Sequence, residues 1–282
     1  MNHAATRYLE AKRTVDDRAL SGRVRDRLLS ALPAAPRVLE VGCGTGTTVP
    51  RLIEWGVDAG TYRGVDTDDG VVAFARQVRP AALRWRGHAV TETDRGFSAG
   101  ELSVAFETGD ALETLADAAD SDLVVAHAFA DLVPIPDLLA GLESGLAPGG
   151  LAYLPITFDG GTIFQPDHPD DDAVERAYHA AIDRQPGRDV HAGRHLADAC
   201  RRRDGDLLAM AGSDWVVRPR GGPYPADEAY FLDRILGFVE AALADAPVDG
   251  SDWLATRREQ LAAGRLTYVA HQYDLLYRAP ES

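Results

Sequence analysis

The residues with the clearest capacity for chemistry form a glycine-rich loop directly after an apolar run, in the segment Val38-Leu39-Glu40-Val41-Gly42-Cys43-Gly44-Thr45-Gly46. Its glycines stand at alternate positions, Gly42, Gly44 and Gly46. Because glycine lacks a Cβ atom, the backbone there can turn sharply and approach a ligand closely. A helix predicted from Thr47 to Trp55 directs its free N–H groups and positive dipole end at the loop. Strand, glycine loop and helix in this order are typical of a nucleotide site.

The spacing of the glycines separates two classes of cofactor. A dinucleotide site requires Gly-x-Gly-x-x-Gly, with the third glycine where the helix packs on the strand. Counted from Gly42, that third position holds Thr47, and the extra glycine comes one residue earlier, at Gly46. The pattern Glu-x-Gly-x-Gly-x-Gly that begins at Glu40 resembles the first motif of the class I S-adenosylmethionine-dependent methyltransferases. An ordinary strand-turn-helix without a ligand is the structural alternative.

Acidic residues follow the next two predicted strands, 62–66 and 102–107. The resemblance implies that Asp66 accepts hydrogen bonds from ribose hydroxyls, a task suited to an ionised carboxylate. It also implies that Asp110 accepts from the adenine amino group, while the backbone N–H of Ala111 meets the ring. The alternative for both acids is that each caps the helix that follows it, because aspartate is a preferred N-cap of helices.

The resemblance covers residues 36 to 157. Residues 122–133 look like the segment near the reacting methyl group, and Ala147-Pro148-Gly149-Gly150 looks like a late turn of the same family. Methyltransferases that act on nucleic acids or protein amides commonly carry Asn/Asp-Pro-Pro-Tyr after the fourth strand. This chain has Ala126-His127-Ala128-Phe129 there, which favours a small-molecule acceptor.

The site implied by the resemblance binds S-adenosylmethionine. Its cofactor-binding residues are Arg18, Glu40, Gly42, Cys43, Gly44, Thr45, Gly46, Asp66, Thr67, Asp110, Ala111, His127 and Phe129. The sulfonium supplies the electrophile, so the protein mainly positions the reactants and a base is not obligatory.

Three of the predicted site residues have individual roles and individual alternatives. His127 is the candidate catalytic base, since imidazole titrates near neutral pH, but its ring can equally line the pocket. Arg18 is the candidate partner of the cofactor carboxylate, and Tyr8 is a candidate substrate contact. A solvated helix with ion pairs four residues apart explains these N-terminal residues without a function. The histidines and cysteines show no spacing that predicts a metal site.

Strands are predicted at 37–41, 62–66, 102–107, 122–127 and 151–156. Their alternation with helices predicts an α/β fold with a Rossmann-like, doubly wound sheet. The resemblance adds a final antiparallel strand to a mostly parallel sheet. We expect an N-terminal helical cap over residues 1–35 and a methyltransferase domain over 36–282. Helical insertions at about 160–195 and 219–264 are expected to help form the acceptor pocket.

Three segments carry more specific expectations. Residues 3 to 31 show apolar residues at helical spacing and predict one helix. The glycines and threonines of residues 86–100 predict a long loop. Residues 206–218 predict one strand, and two helices are expected between it and the last strand, at 266–278.

Composition narrows the function further. The formal net charge is -15, from 29 basic and 44 acidic residues, and Lys12 is the only lysine. Such a surface repels phosphate backbones, so we expect no nucleic-acid partner. It fits adaptation to high salt or, alternatively, a GC-rich genome that favours arginine. Two cysteines, a charged N-terminus and the lack of a long apolar segment predict a cytoplasmic protein without a membrane span.

The sequence therefore predicts methyl transfer to a small molecule. The alternatives are an NAD-dependent oxidoreductase on a similar sheet and a non-catalytic protein that binds S-adenosylmethionine. Nothing in the sequence sets the oligomeric state or identifies the acceptor.

Overall fold

The computed structural model describes residues 6–93 and 96–281. Its strands are β1 (Arg37–Val41), β2 (Ala59–Asp66), β3 (Val90–Thr93), β4 (Gly96–Ala99), β5 (Glu101–Thr108), β6 (Ser121–Val125), β7 (Leu146–Gln165), β8 (Asp206–Gly212), β9 (Trp215–Val217) and β10 (Thr267–Arg278). Its helices are α1 (Thr6–Ala19), α2 (Gly22–Leu29), α3 (Thr48–Glu54), α4 (Asp69–Trp85), α5 (Ala111–Asp117), α6 (Ile135–Gly145), α7 (Asp171–Asp183), α8 (Ala192–Arg201), α9 (Glu228–Leu243) and α10 (Ser251–Ala262).

All the strands form one sheet in the order β3-β4-β5-β2-β1-β6-β7-β10-β8, with β9 paired to β10. Neighbours from β5 to β7 are parallel, and β10 runs antiparallel to both β7 and β8. The α/β fold with a final antiparallel strand is thus confirmed. Because parallel strands share one direction, the carboxyl ends of β1, β2, β5 and β6 meet at one edge of the sheet.

The core lies on both faces of the parallel strands. In β6, Leu123 and Val125 pack into one apolar cluster, whereas Val124 packs into the cluster on the opposite face. Successive side chains of a strand point to opposite faces, so a continuous apolar run is what a doubly covered strand requires. This requirement explains why the predicted positions of β1 and β6 agree closely with the structure.

A third cluster joins the N-terminal helix to the later insertion. Tyr8 of α1 stacks on Phe231 of α9 at 5.7 Å between ring centroids and meets Phe238 edge-on at 5.4 Å. Ala11 and Val15 belong to the same buried cluster. The helical cap and the 219–264 insertion therefore share one core over the carboxyl edge of the sheet.

The prediction of a single helix over residues 3 to 31 is wrong, because the helix is interrupted between α1 and α2. Ser21 accepts from the Val24 N–H at 3.4 Å as the N-cap of α2. Its own N–H donates to Asp274 Oδ2 at 2.8 Å. Asp274 also accepts from the Ile156 N–H at 2.9 Å, so one buried carboxylate joins the break to β7 and β10. A tertiary contact therefore ends the first helix.

The predicted loop over residues 86–100 contains the β3–β4 hairpin, apart from residues 94 and 95, which lie outside the described residues. β4 pairs antiparallel with β5 and buries Phe97 and Ala99. The glycines suggested a loop, but the alternation of Phe97 and Ala99 with polar residues is a strand pattern. β3 is short and mostly exposed, as suits the edge of a sheet.

Two further elements depart from expectation near the end of the sheet. β7 continues to Gln165, well beyond the predicted strand 151–156, because β10 pairs with it along its whole later part. The insertion predicted at about 160–195 thus begins as a strand before α7. The single strand predicted over 206–218 is two strands, β8 and β9, which both pair with β10.

None of the described helices has the length and apolar character needed to cross a membrane.

Candidate functional site

A cleft of about 290 Å³ opens at the carboxyl edge of the sheet, below α1. The predicted site residues that line it are Tyr8, Gly42, Gly44, Asp66, Thr67, Ala111, His127 and Phe129. The predicted residues outside its lining are Arg18, Glu40, Cys43, Thr45, Gly46 and Asp110. Loops that are distant in sequence are brought together here because their strands are parallel neighbours.

The glycine loop connects β1 to α3 and forms the floor of the cleft. Gly42, Gly44 and Gly46 all take positive φ, at 64°, 53° and 74°. A Cβ atom on Gly42 would overlap the ring of Phe129, so that ring lies directly against the loop backbone. A Cβ atom on Gly46 would lie 2.5 Å from Phe106 Cε1. The loop conformation therefore depends on glycine, both for its φ angles and for the space around it.

Asp66 lies at the end of β2 and joins two loops of the cleft. Its Oδ2 accepts from the Gly44 N–H at 2.9 Å, and its Oδ1 accepts from the Asp68 N–H at 3.1 Å. The cap of α4 is Asp68, which accepts from the Val71 N–H at 2.9 Å. The capping role is thus filled by another residue. Each Asp66 oxygen keeps acceptor capacity for a ligand in the cleft.

Asp110 acts as a helix N-cap, which is the alternative that the sequence left open. It is the N-cap of α5 and accepts from the N–H groups of Leu112 and Glu113 at 2.8 and 3.0 Å. Its side chain is exposed and outside the cleft lining, whereas Gly109 and Ala111 on either side of it line the cleft. The backbone of this turn faces the cleft, and the carboxylate caps the helix.

Glu40 lies beneath the glycine loop with only 1% of its surface exposed. It accepts from Thr48 Oγ1 at 2.7 Å and from the hydroxyl of Tyr62. Burial raises the pKa of this carboxyl to about 7, against the effect of both hydrogen bonds. Glu40 therefore connects β1, β2 and α3 below the loop. Cys43 and Thr45 are also buried in the loop, and burial raises the pKa of the Cys43 thiol.

Glu40→Gln is expected to change how stability depends on pH. The folded state favours the protonated carboxyl up to about pH 7, whereas the unfolded chain ionises from about 4.5. This group's contribution is fully present below about pH 4.5 and is lost as the pH rises through 7, a change of about 3 to 4 kcal/mol. Denaturant unfolding at several pH values should show that loss in the wild type and not in the variant. Parallel curves for the two proteins would contradict the assignment.

The prediction that Arg18 binds the cofactor carboxylate is corrected. Arg18 does not reach the cleft, because its guanidinium forms an ion pair elsewhere. Its Nη2 lies 2.9 Å from Glu228 Oε2 at the start of α9, and its Nη1 donates to the Thr14 carbonyl at 2.9 Å. The guanidinium therefore joins the end of α1 to α9. Lys12, six residues earlier on α1, lines the cleft instead.

His127 is buried at the cleft with both ring nitrogens near charged groups. Arg51 Nη1 lies 3.0 Å from Nδ1, and a guanidinium can only donate, so Nδ1 accepts and Nε2 carries the hydrogen. Nε2 lies 3.4 Å from Asp16 Oδ2. Burial, followed by the charges of Arg51 and Lys12, lowers the pKa of His127 well below its usual value. This environment holds a neutral ring that lines the cleft, and it does not favour a base.

Asp16 is the centre of a buried network that the sequence did not reveal. It accepts from Trp215 Nε1 at 2.9 Å, and Lys12 Nζ lies 3.3 Å from its Oδ2. Burial raises the pKa of this carboxyl, against the effects of Lys12 and Arg51. The spacing of Lys12 and Asp16 is typical of an ion pair on a helix surface. The sequence of α1 alone does not show that β9 and α3 bury this pair.

Residues of the cap and of both insertions line one part of this cleft, which we call the inner chamber. Six aromatic side chains line it, namely Tyr8, Phe158, Tyr178, Trp215, Phe238 and Tyr268. Asp131 and Arg188 are charged residues of this part of the lining. Burial raises the pKa of Asp131, and Arg188 and Lys12 oppose that rise. Sequence analysis missed these residues because they lie on separate loops that only the fold brings together.

No family model and no curated protein matches the chain. Solved structures do match it over most of its length. A proposed type II methyltransferase from Anaeromyxobacter dehalogenans is 19% identical with a TM-score of 0.52, over 92% of this chain and 96% of its own. Geranyl diphosphate C-methyltransferase from Streptomyces coelicolor, in complex with geranyl diphosphate and S-adenosyl-L-homocysteine, is 14% identical with a TM-score of 0.46, over 91% and 78%. At these identities the likeness concerns the fold.

Proposed function

We propose that this chain, which has a methyltransferase fold, transfers a methyl group from S-adenosylmethionine to a small-molecule acceptor. One observation carries the proposal. Asp66 accepts from the Gly44 N–H at 2.9 Å, so the glycine loop and the acid after the second strand form one continuous wall of the cleft. Both belong to the motifs whose resemblance to the class I methyltransferases is described above.

The residues of the cleft fit this cofactor. Asp66 has acceptor capacity for ribose hydroxyls, and the open backbone at Gly42 and Gly44 allows close approach of the methionine portion. The Ala111 backbone, beside Gly109, is placed for the adenine. Lys12 takes the role first expected of Arg18, toward the cofactor carboxylate. When bound, the sulfonium supplies an already activated methyl group.

The chain then has to position the acceptor and exclude water. α1 covers the cleft and is fixed there by ion pairs between Arg51 and Asp17 at 2.6 Å and between Glu10 and Arg79. The aromatic chamber provides the acceptor site next to His127 and Phe129. The Asp131 carboxylate, which also faces the chamber, is the group best placed to hold the proton of an acceptor hydroxyl or amine.

Asp131→Asn is expected to slow methyl transfer about tenfold. The effect is smaller than is typical for a proton-accepting group because the methyl donor is already activated. Since burial raises the Asp131 pKa, the wild-type rate should rise with pH above the usual carboxyl range, and the variant should lose that rise. Affinity for S-adenosylhomocysteine should stay unchanged. Asp137→Asn, at an exposed position on α6, is the matched control. An unchanged pH profile in Asp131→Asn would remove this role.

The function itself is tested with radiolabelled S-adenosylmethionine and a metabolite extract, at low and at molar salt. We expect label to enter at least one small organic product. Tight cofactor binding without any labelled product would identify the chain as a binding protein that turns nothing over.

A further inference from the structure

Arg188 lies between α7 and α8 and lines the inner chamber, where it is half-buried. Among residues 6–93 and 96–281, its guanidinium has no hydrogen bond and no ion pair. Two more deeply buried arginines differ in this respect. Arg51 lies 2.6 Å from Asp17, and Arg257 lies 2.5 Å from Asp171. A guanidinium held partly out of water without a partner is costly, so a ligand group is the natural partner for Arg188.

Asp131 does not fill that role, although it faces the same chamber. Arg188, Asp131 and Tyr178 all line the same cleft, and the charge of Arg188 opposes the rise that burial causes in the pKa of the Asp131 carboxyl and of the Tyr178 hydroxyl. Yet no oxygen of Asp131 comes within 4.0 Å of the guanidinium, since the two residues form none of the described ion pairs. Both charged groups thus line the same chamber, and they form no ion pair with each other.

The rest of the chamber wall is apolar and aromatic. Tyr178, Tyr268 and Phe238 come from three different elements, and the aliphatic side chains of Ile156, Leu132, Ile182 and Ile235 fill the gaps between rings. Such a wall accepts an organic body, whereas the planar guanidinium pairs with a carboxylate through two parallel hydrogen bonds.

We infer that the acceptor is an organic carboxylate, with its apolar body among the aromatic rings and its carboxylate on Arg188. This inference rests on the proposed function, because it describes the acceptor of that reaction. Arg188 is then a specificity residue, and it holds the end of the acceptor that does not react. The opposite end of the acceptor faces Asp131.

Calorimetric titration of the protein saturated with S-adenosylhomocysteine tests this with three probes that share one body. They are 3-phenylpropanoate, 3-phenylpropan-1-ol and 3-phenylpropan-1-amine. We expect the carboxylate to bind at least tenfold more tightly than the alcohol and the amine. Arg188→Gln should abolish that preference and leave binding of the alcohol unchanged. Arg184→Gln, at an exposed position four residues earlier, should preserve it.

Three results would overturn the inference: no preference for the carboxylate, a preference for the amine, or a preference that persists in Arg188→Gln. If the carboxylate does not bind at millimolar concentration, that result also counts as no preference for the carboxylate. Titration with S-adenosylhomocysteine alone distinguishes an error in the acceptor class from an error in the proposed function. If it binds and the carboxylate preference is absent, only the acceptor class is wrong, whereas failure of S-adenosylhomocysteine to bind rejects the proposed function.

Discussion

Asp66→Ala is expected to weaken binding of S-adenosylhomocysteine at least about hundredfold. The carboxylate is proposed to accept hydrogen bonds from the ribose, and bonds to a charged group contribute about 1.5–3 kcal/mol each. The substitution also removes the acceptor of the Gly44 N–H, so the glycine loop keeps only the bond from the Cys43 N–H to the Val65 carbonyl of β2. Both losses act on the same ligand. Calorimetric titration of the wild type and the variant measures the effect.

Asp68→Asn is the matched control for this experiment. Asparagine caps helices about as well as aspartate, so the bond to the Val71 N–H should survive. The control changes a carboxylate two residues away and should bind S-adenosylhomocysteine like the wild type. Equal affinity of Asp66→Ala and the wild type would remove Asp66 from the site.

Gly46→Ala is expected to lower the free energy of unfolding by about 4 kcal/mol. Alanine at a φ of 74° is strained by about 1–2 kcal/mol, and an added methyl in a packed core costs about 1–3 kcal/mol more. Phe106, whose ring lies 2.5 Å from the ideal Cβ position, is fully buried and has no free space to move into. Denaturant unfolding followed by circular dichroism measures the loss.

Gly56→Ala is the control that distinguishes backbone strain from steric crowding. Gly56 also has a positive φ, at 89°, but no atom lies within 4 Å of its ideal Cβ position. This control should lose only the strain component, about 1–2 kcal/mol. If the two variants are equally unstable, the close packing of Phe106 on the loop is not what makes glycine necessary at position 46.

The parts of the fold that sequence predicted well are those with local causes. β1 and β6 are buried on both faces, and their mostly apolar runs are readable in five or six residues. The glycine loop directly follows β1, and Asp66 is the last residue of β2. Their placement in one cleft then depends only on parallel pairing, which the alternation of strands and helices already indicates.

The parts that sequence missed have tertiary causes. The break between α1 and α2 depends on Asp274, more than 250 residues later in the chain. Arg18 resembled a ligand-binding residue, but Glu228 on a distant helix pairs with it. His127 resembled a base, but the approach of Arg51 to its Nδ1 decides its tautomer. Arg188 carried no sequence signal, because its proposed role depends on the lack of a partner within residues 6–93 and 96–281, which only the packed chain reveals.

The central claim is that the cleft binds an adenosyl sulfonium compound and not a dinucleotide. Parallel calorimetric titrations of the wild type with S-adenosylhomocysteine and with NAD test it most directly. We expect one S-adenosylhomocysteine to bind per chain at low micromolar affinity, with no measurable heat from NAD. Tighter binding of NAD, or no binding of either compound, would contradict it.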